Sequence, residues 1–522
     1  MSNAATLRTL GAHASCIGIS LLLAGCPVGP NFDRPAAPTQ QTYDTPEHRA
    51  DGGAETPSVS ISLGADVPAQ WWQLFKSASL DQTLRAAIAD SPTLASAQAT
   101  LAAAREAVVV ARAGYLPRLS AVAGAQHSGT ATAGATGAGG TGTAGTAGGG
   151  GTTGGSGGTT SGGGFSSTSY SLGLTASYTF NALGGATRRL VEQQQALADL
   201  QRYQVAGTYL TLTGSVVTQA LNIASNRLQI TITLDLLAND QKNLDLTTRM
   251  FEVGAAARTD VLTAESQLAS DEALLPSLRQ QISVSRHALA ILVGHAPADW
   301  SAPDFELTEF VLPGAVPLSL PSALVRQRPD ILAAEEQLHA ASANVGIAVA
   351  QEYPSITLSG SLTRDALTAA NLFHDFDRLW NVGGALTQPL FAGGALRAQT
   401  RAARDAFRAQ AAAYTQVVLT AFGQVADDLR ALEHDAERVS AYRRSLRIAS
   451  DSLALQRISY AAGKTTILQL IDAERSYSQA RLGSAGAEVQ QLEDAADLFV
   501  ALGGGWWNTS IAPPAARAST PP

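Results

Sequence analysis

The chain has 522 residues with a formal net charge of −8; 15% of them are charged and 45% are hydrophobic. The charged share is below the ~25% usual for globular domains. No basic stripe is present, which argues against nucleic-acid binding.

Arg8 lies in a short polar region, Ile17–Leu23 is an apolar run too short to span a bilayer, and Leu23-Ala24-Gly25-Cys26 follows. This is the pattern of a signal peptide over residues 1–25. Its last four residues resemble the bacterial lipoprotein box, which implies cleavage before Cys26 and a covalent lipid on it; several acyl chains anchor a protein as one cannot. With Cys16 in the removed segment, no disulfide remains. Residues 26–70 are rich in Pro, Thr and Ala without periodicity and read as an extended lead segment. Trp71, Trp72, Leu74 and Phe75 then open a helix to Ala89, and this aromatic cluster is read as packing on another helix rather than as a ligand box.

Pro92–Gly114 is a short helix stopped by Tyr115-Leu116-Pro117. Four segments, Leu119–Ala125, Tyr170–Phe180, Ile356–Leu362 and Trp380–Leu386, alternate apolar with small or polar residues. Strands are therefore expected at about 118–126, 170–180, 355–363 and 379–388, as the only strands of the chain. Alternation over about ten residues, with Tyr, Phe and Trp towards the ends, fits strands with lipid on one side and water on the other. A soluble amphipathic hairpin alternates in the same way; the long flanking helices favour the membrane reading. Gly, Thr, Ala and Ser make up nearly all of residues 127–169, a low-complexity loop expected outside the cell.

Two proline-free stretches, Ala186–Glu252 and Ala395–Ala461, each follow a Gly-Gly pair. As helices they would each span about 100 Å at a rise of about 1.5 Å per residue. The second carries a seam of Phe407, Ala411, Tyr414, Val418, Ala421, Val425, Leu429 and Leu432 at coiled-coil spacing. Such rods need partners of their own length. Pro92–Gly114 with Arg258–Leu292, and Pro329–Gln351 with Ile467–Ala501, can supply them end to end. Pro276 should kink the first set, and residues 294–321, with Pro297, Trp300, Pro313 and Pro317, read as a belt.

An offset of 209 carries Gly184-Gly185 to Gly393-Gly394, Gly214 to Gly423, Phe251 to Tyr460, Gly254 to Gly463 and Glu265 to Glu474. An offset of 237 carries Pro92, Leu101 and Pro117 to Pro329, Leu338 and Pro354. The chain is a tandem duplication, with repeats at 71–320 and 321–502 and a tail at 503–522. Four lipid-facing strands cannot close around a lumen, and unpaired strand edges in hydrocarbon cost several kcal/mol per group. Copies of the chain must share one barrel; three copies supply twelve strands.

Cys26-Pro27-Val28-Gly29-Pro30-Asn31-Phe32, Trp71-Trp72-Gln73-Leu74-Phe75, Arg328-Pro329-Asp330-Ile331, Pro389-Leu390-Phe391-Ala392-Gly393-Gly394 and Leu502-Gly503-Gly504-Gly505-Trp506 occur in that order. Together they resemble the outer membrane efflux proteins, the TolC-like channels, and among them the NodT-type lipoproteins. The resemblance implies a mainly α fold with a transmembrane β part: a homotrimer whose shared twelve-stranded barrel in the outer membrane continues as a long helical barrel in the periplasm. It also implies a periplasmic adaptor and an inner-membrane pump, often of the resistance-nodulation-division type, as partners.

The turns Val253-Gly254-Ala255 and Ala462-Gly463-Lys464 end the long helices, Gly being free to take a left-handed cap. By resemblance these tips receive the adaptor, although Lys464 departs from the usual small apolar residue. By resemblance, too, Asp472 is an inward-facing gate acid; threefold symmetry makes it a ring of carboxylates that attracts cations. Tyr460 is similar to the family's aromatic latch between helices. Gln469 stands where another Asp is common, and Asp260 fills that slot in the first copy. Glu265 and Glu474 are read as serving the helix dipole or solubility. Gly463-Lys464-Thr465 is no phosphate loop, because Ile458 stands where the motif needs Gly. No catalytic set or metal-ligand spacing emerges, so neither an enzyme nor a cofactor beyond the lipid is expected. The leading expectation is a passive exit duct for drugs or other small molecules; a type I protein-secretion duct and a non-pore lipid-anchored scaffold are the alternatives.

Overall fold

The computed structural model describes residues 28–40, 42–43, 60–64, 67–129, 166–180, 185–373 and 378–508. The signal peptide, Cys26 and residues 130–165 of the low-complexity loop lie outside them. In chain order the main elements are β1 (Ser60–Leu63), α1 (Ala78–Asp90), α2 (Pro92–Arg112), β2 (Arg118–Gly129), β3 (Ser166–Phe180), α3 (Ala186–Glu252), α4 (Arg258–Glu272) and α5 (Leu274–Val293). The second half adds β4 (Ala315–Leu318), α6 (Pro321–Gln327), α7 (Pro329–Ala350), β5 (Ser355–Ala366), β6 (Leu379–Thr387), α8 (Ala395–Ala461) and α9 (Ile467–Ala501). The chain divides into two compact units: a β unit built from residues 111–189 and 346–398, joined by the segment before Pro30, and a helical unit made of the remainder.

In the β unit, β2, β3, β5 and β6 form one antiparallel sheet in that order. The first two strands overrun the expected bounds, because His127 pairs with Thr168 and Gly129 with Ser166 inside the stretch read as loop. Gly, Ser and Thr carry no hydrophobic alternation, yet their backbones continue the ladder without steric hindrance. The expectation of only four strands is also corrected. β1 and β4 form a parallel pair, Ser60 to Ala315 through Leu63 to Leu318, in the helical unit. Four-residue strands in Pro-rich surroundings are too short to show a period.

Both long helices run 67 residues. Every residue of the α8 seam from Phe407 to Leu432 is buried or half-buried, as coiled-coil packing requires. Pro276 breaks its helix: α4 ends at Glu272 and α5 begins at Leu274, since Pro has no N–H to offer the Glu272 carbonyl. The duplication reaches the helix ends, where Gly294 (φ +90) and Gly503 (φ +92), again 209 apart, cap α5 and the turn after α9.

The aromatic cluster is core, and the helix read as starting at Trp71 starts later. Trp71–Phe75 is a separate 3₁₀ turn ended by Lys76 in a left-handed conformation (φ 58), and Ser77 caps α1 by accepting the Leu80 amide at 3.2 Å. Trp71 and Phe75 pack on Phe499 with ring centroids 5.6 and 6.3 Å away, and Trp72 lies 6.5 Å from Tyr209. Arg328, between α6 and α7, donates to the carbonyls of Ala421 (3.4 Å) and Ala501 (3.1 Å), to Asp330 and to Gln424.

Candidate functional site: an exposed sheet and two helical turns

Directly opposed residues of antiparallel strands share a face. The register therefore lays down rows such as Ala121–Leu174–Leu362–Trp380 and Leu119–Ala176–Gly360–Val382. The opposite face carries rows such as Ser120–Thr175–Ser361–Asn381. Among the described residues no core covers the apolar rows: Leu119 is 72% exposed, Trp380 75%, Val382 78% and Leu386 69%. The strands of 12, 15, 12 and 9 residues reach or approach the ~9–11 residues that a tilted strand needs to cross hydrocarbon. Among the described residues β2 and β6 are the outer strands, so each has one unpaired edge. In the same unit Arg189, at the start of α3, donates to the carbonyls of Val28 and Gly29, both at 3.3 Å, and so holds the segment that follows Cys26.

The two turns share their main capping bonds. Gly254 N–H donates to Phe251 O and Gly463 N–H to Tyr460 O, both at 2.9 Å, while Ala255 and Lys464 reach back to Met250 and Ser459 at 2.7 and 2.9 Å. Gly254 and Gly463 sit at φ +76 and +68, with open space where a Cβ would stand. Val253, Gly254, Ala255, Ala462, Gly463 and Lys464 are all exposed.

Tyr460 donates its hydroxyl to the Met250 sulfur at 3.4 Å, joining α8 to α3. Burial holds its hydroxyl above the ordinary tyrosine range. Asp472 is exposed and lines a groove between α8 and α9 together with Arg444, Ile448, Ser452 and Gln469. Gln469 and Asp260 also act as caps. Gln469 Oε1 accepts the Thr466 amide at 3.2 Å, and Asp260 Oδ2 accepts the Ala257 amide at 3.0 Å. Among the described residues, no group of three or more His, Cys, Asp or Glu is placed to hold a metal ion.

Glu474 corrects the solubility reading. It is 5% exposed, accepts Asn243 Nδ2 at 2.6 Å and pairs with Arg457 at 3.1 Å, whereas its counterpart Glu265 is exposed. The clue lay in spacing: Leu470, Ile471, Glu474 and Ser478 fall on one helical stripe, and that stripe is the buried one.

The model of the family described as "Outer membrane efflux protein" matches residues 83–295 and 320–504. Nodulation protein T of Rhizobium leguminosarum bv. viciae is 29% identical over 498 residues, covering 95% of this chain and 94% of its own. The pyoverdine export outer membrane protein OpmQ of Pseudomonas aeruginosa is 29% identical over 500 residues, with 95% and 97% covered. Among solved structures, the outer-membrane channel OprN superposes with a TM-score of 0.77 at 27% identity, covering 92% of this chain and all of that one. The two matched segments coincide with the two halves of the duplication, and the chain belongs to the outer membrane efflux protein family.

Proposed function

We propose that this chain is the outer-membrane exit duct of a tripartite efflux pump, passively passing small molecules from a periplasmic tunnel to the exterior. The observation that carries the reading is the sheet, with one apolar face, no core over it and two free edges. In water such a face would be an aggregation site; in a bilayer it faces lipid. The order β2-β3-β5-β6 runs alternately up and down, so β6 of one copy meets β2 of the next antiparallel. A homotrimer then closes twelve strands with no edge left in hydrocarbon. A lipid on Cys26 would join the same bilayer, because Arg189 holds the residues just beyond Cys26 within the β unit. The exposed turns at 253–255 and 462–464 offer two glycine-centred tips of like backbone geometry, the second carrying Lys464, to a periplasmic adaptor that couples the duct to an inner-membrane pump. Asp472 and Tyr460 are the gate residues of this reading.

The test is the purified, lipidated protein in detergent and planar bilayers. Heat-modifiable migration, a trimer on cross-linking and stepwise conductance are expected. A water-soluble monomer without conductance after delipidation would sink the reading.

A further inference from the structure

Beneath the two turns, three long helices meet at one carboxylate. Glu474 of α9 accepts Asn243 Nδ2 of α3 at 2.6 Å and pairs with Arg457 of α8 at 3.1 Å. Asn243 is itself 7% exposed, so this is a buried bond between helices whose bonded residues lie 231 apart in sequence. We propose that Glu474 is a positioning residue of the periplasmic closure: it clamps α3 and α8 to α9, so that the two turns stay together, and neighbouring Asp240 makes that clamp sensitive to protons. The inference rests on the reading of this end of the helices as the gate.

Asp240 supplies the second half. It is 3% exposed, and among the described residues no donor reaches its Oδ2. The charged groups facing it are Asp271 from α4 and Glu474 and Arg475 from α9, with Arg457 of α8 reaching the site through Glu474. Burial first, then the hydrogen bond and charge of Asp271 and the charge of Glu474, push the Asp240 carboxyl up to about 7, against the smaller pull of Arg475. A group raised in the closed state binds its proton there and releases it on opening. Closure is therefore strongest in acid and weakens as pH climbs from the ordinary carboxylate value towards 7. Above that range the ionised Asp240 faces two further carboxylates, and the helices that carry them are pushed apart.

The experiment compares wild type, Glu474→Ala, Glu474→Gln, Asp240→Asn and Asp472→Ala as full-length protein, by bilayer conductance from pH 5.5 to 8 and by amide hydrogen exchange at one pH. Glu474→Ala leaves the buried Asn243 donor unpaired and should raise open conductance roughly tenfold, with faster exchange in residues 243–257 and 457–472. Glu474→Gln keeps an acceptor for Asn243 but loses the ion pair with Arg457, and should fall between wild type and Glu474→Ala. Asp240→Asn can donate to Asp271 and should flatten a wild-type profile that rises with pH. Should Glu474→Ala not fold, Asn243→Ala removes the same bond from the other side and carries the same expectation. Unchanged conductance in Glu474→Ala or Asn243→Ala beside an altered Asp472→Ala overturns the clamp and leaves the gate in place. No effect from any variant overturns both.

Discussion

Arg328 reaches the backbone carbonyl of Ala501 at 3.1 Å, so the entry to the second repeat is fastened to the last turn of the final helix. The same guanidinium serves Ala421 of α8, and it is 9% exposed. Replacing Arg328 by Ala strands several buried acceptors at once. A loss of about 2–4 kcal/mol in unfolding free energy is expected, measured by denaturant titration of the detergent-solubilised protein. Arg328→Lys should recover only part of it, because one ammonium cannot span the carbonyls and Gln424 together.

Trp71 separates volume from polarity. It is fully buried, yet among the described residues no acceptor reaches its Nε1. Trp71→Ala opens a cavity against Phe75 and Phe499 and should cost about 3–5 kcal/mol. Trp71→Phe loses less volume and removes an unsatisfied donor, so its cost should be well under half of that. Equal losses in thermal or chemical melts would show that the indole N–H is satisfied in solution.

Acid should stabilise the middle of the α8–α9 pair. Asp435 is 4% exposed, and its carboxyl is held well above the usual range by burial, then by the hydrogen bond and charge of Asp494. Arg438, at 2.8 Å, pulls the other way. The folded state thus keeps a proton that the unfolded chain releases above about pH 4. Stability from this group is full in acid and falls as pH rises to about 7. At the equivalent positions, 209 residues earlier, the first repeat holds neutral Asn226 and Ser285. Asp435→Asn should therefore raise the melting temperature at pH 8 and have little effect at pH 5. Asp428 and Glu493, both pushed to about 7 chiefly by burial and by Asp497, keep a residual slope.

If Asp472 gates the proposed trimer, Asp472→Ala should reduce cation preference and raise leak in planar-bilayer recordings, because a ring of three carboxylates attracts cations as neutral side chains do not. Unchanged selectivity and conductance would remove Asp472 from the gate.

Much of the architecture was written in periodicity. The 67-residue helices, the four membrane-type strands and the doubled plan all follow from spacing that persists over many residues. What escaped was short or cross-chain. β1 and β4 hold four residues each. Gly129 and Ser166 pair without any side-chain signal. Glu474 looked like a surface acid beside a turn until Asn243, 231 residues away in sequence, was seen to bond it. The Asp435–Asp494 pair was equally invisible, since each acid is unremarkable on its own helix and only their meeting perturbs them.

The even number of strands in the large sheet restricts how such a duct can evolve. In the proposed shared barrel a hairpin can be gained or lost and the seam stays antiparallel, whereas one added strand would set β6 and the next β2 running the same way, with the slanted bonds of a parallel pair. Changes of calibre that keep this seam antiparallel would come in pairs of strands per subunit, while the connections between paired strands are free to lengthen. Stoichiometry is not encoded in the sheet, which would seal with any number of subunits wide enough to leave a lumen. On the proposed reading the helices would fix it, and grafting this sheet onto another helical base should yield a pore whose subunit count follows the base.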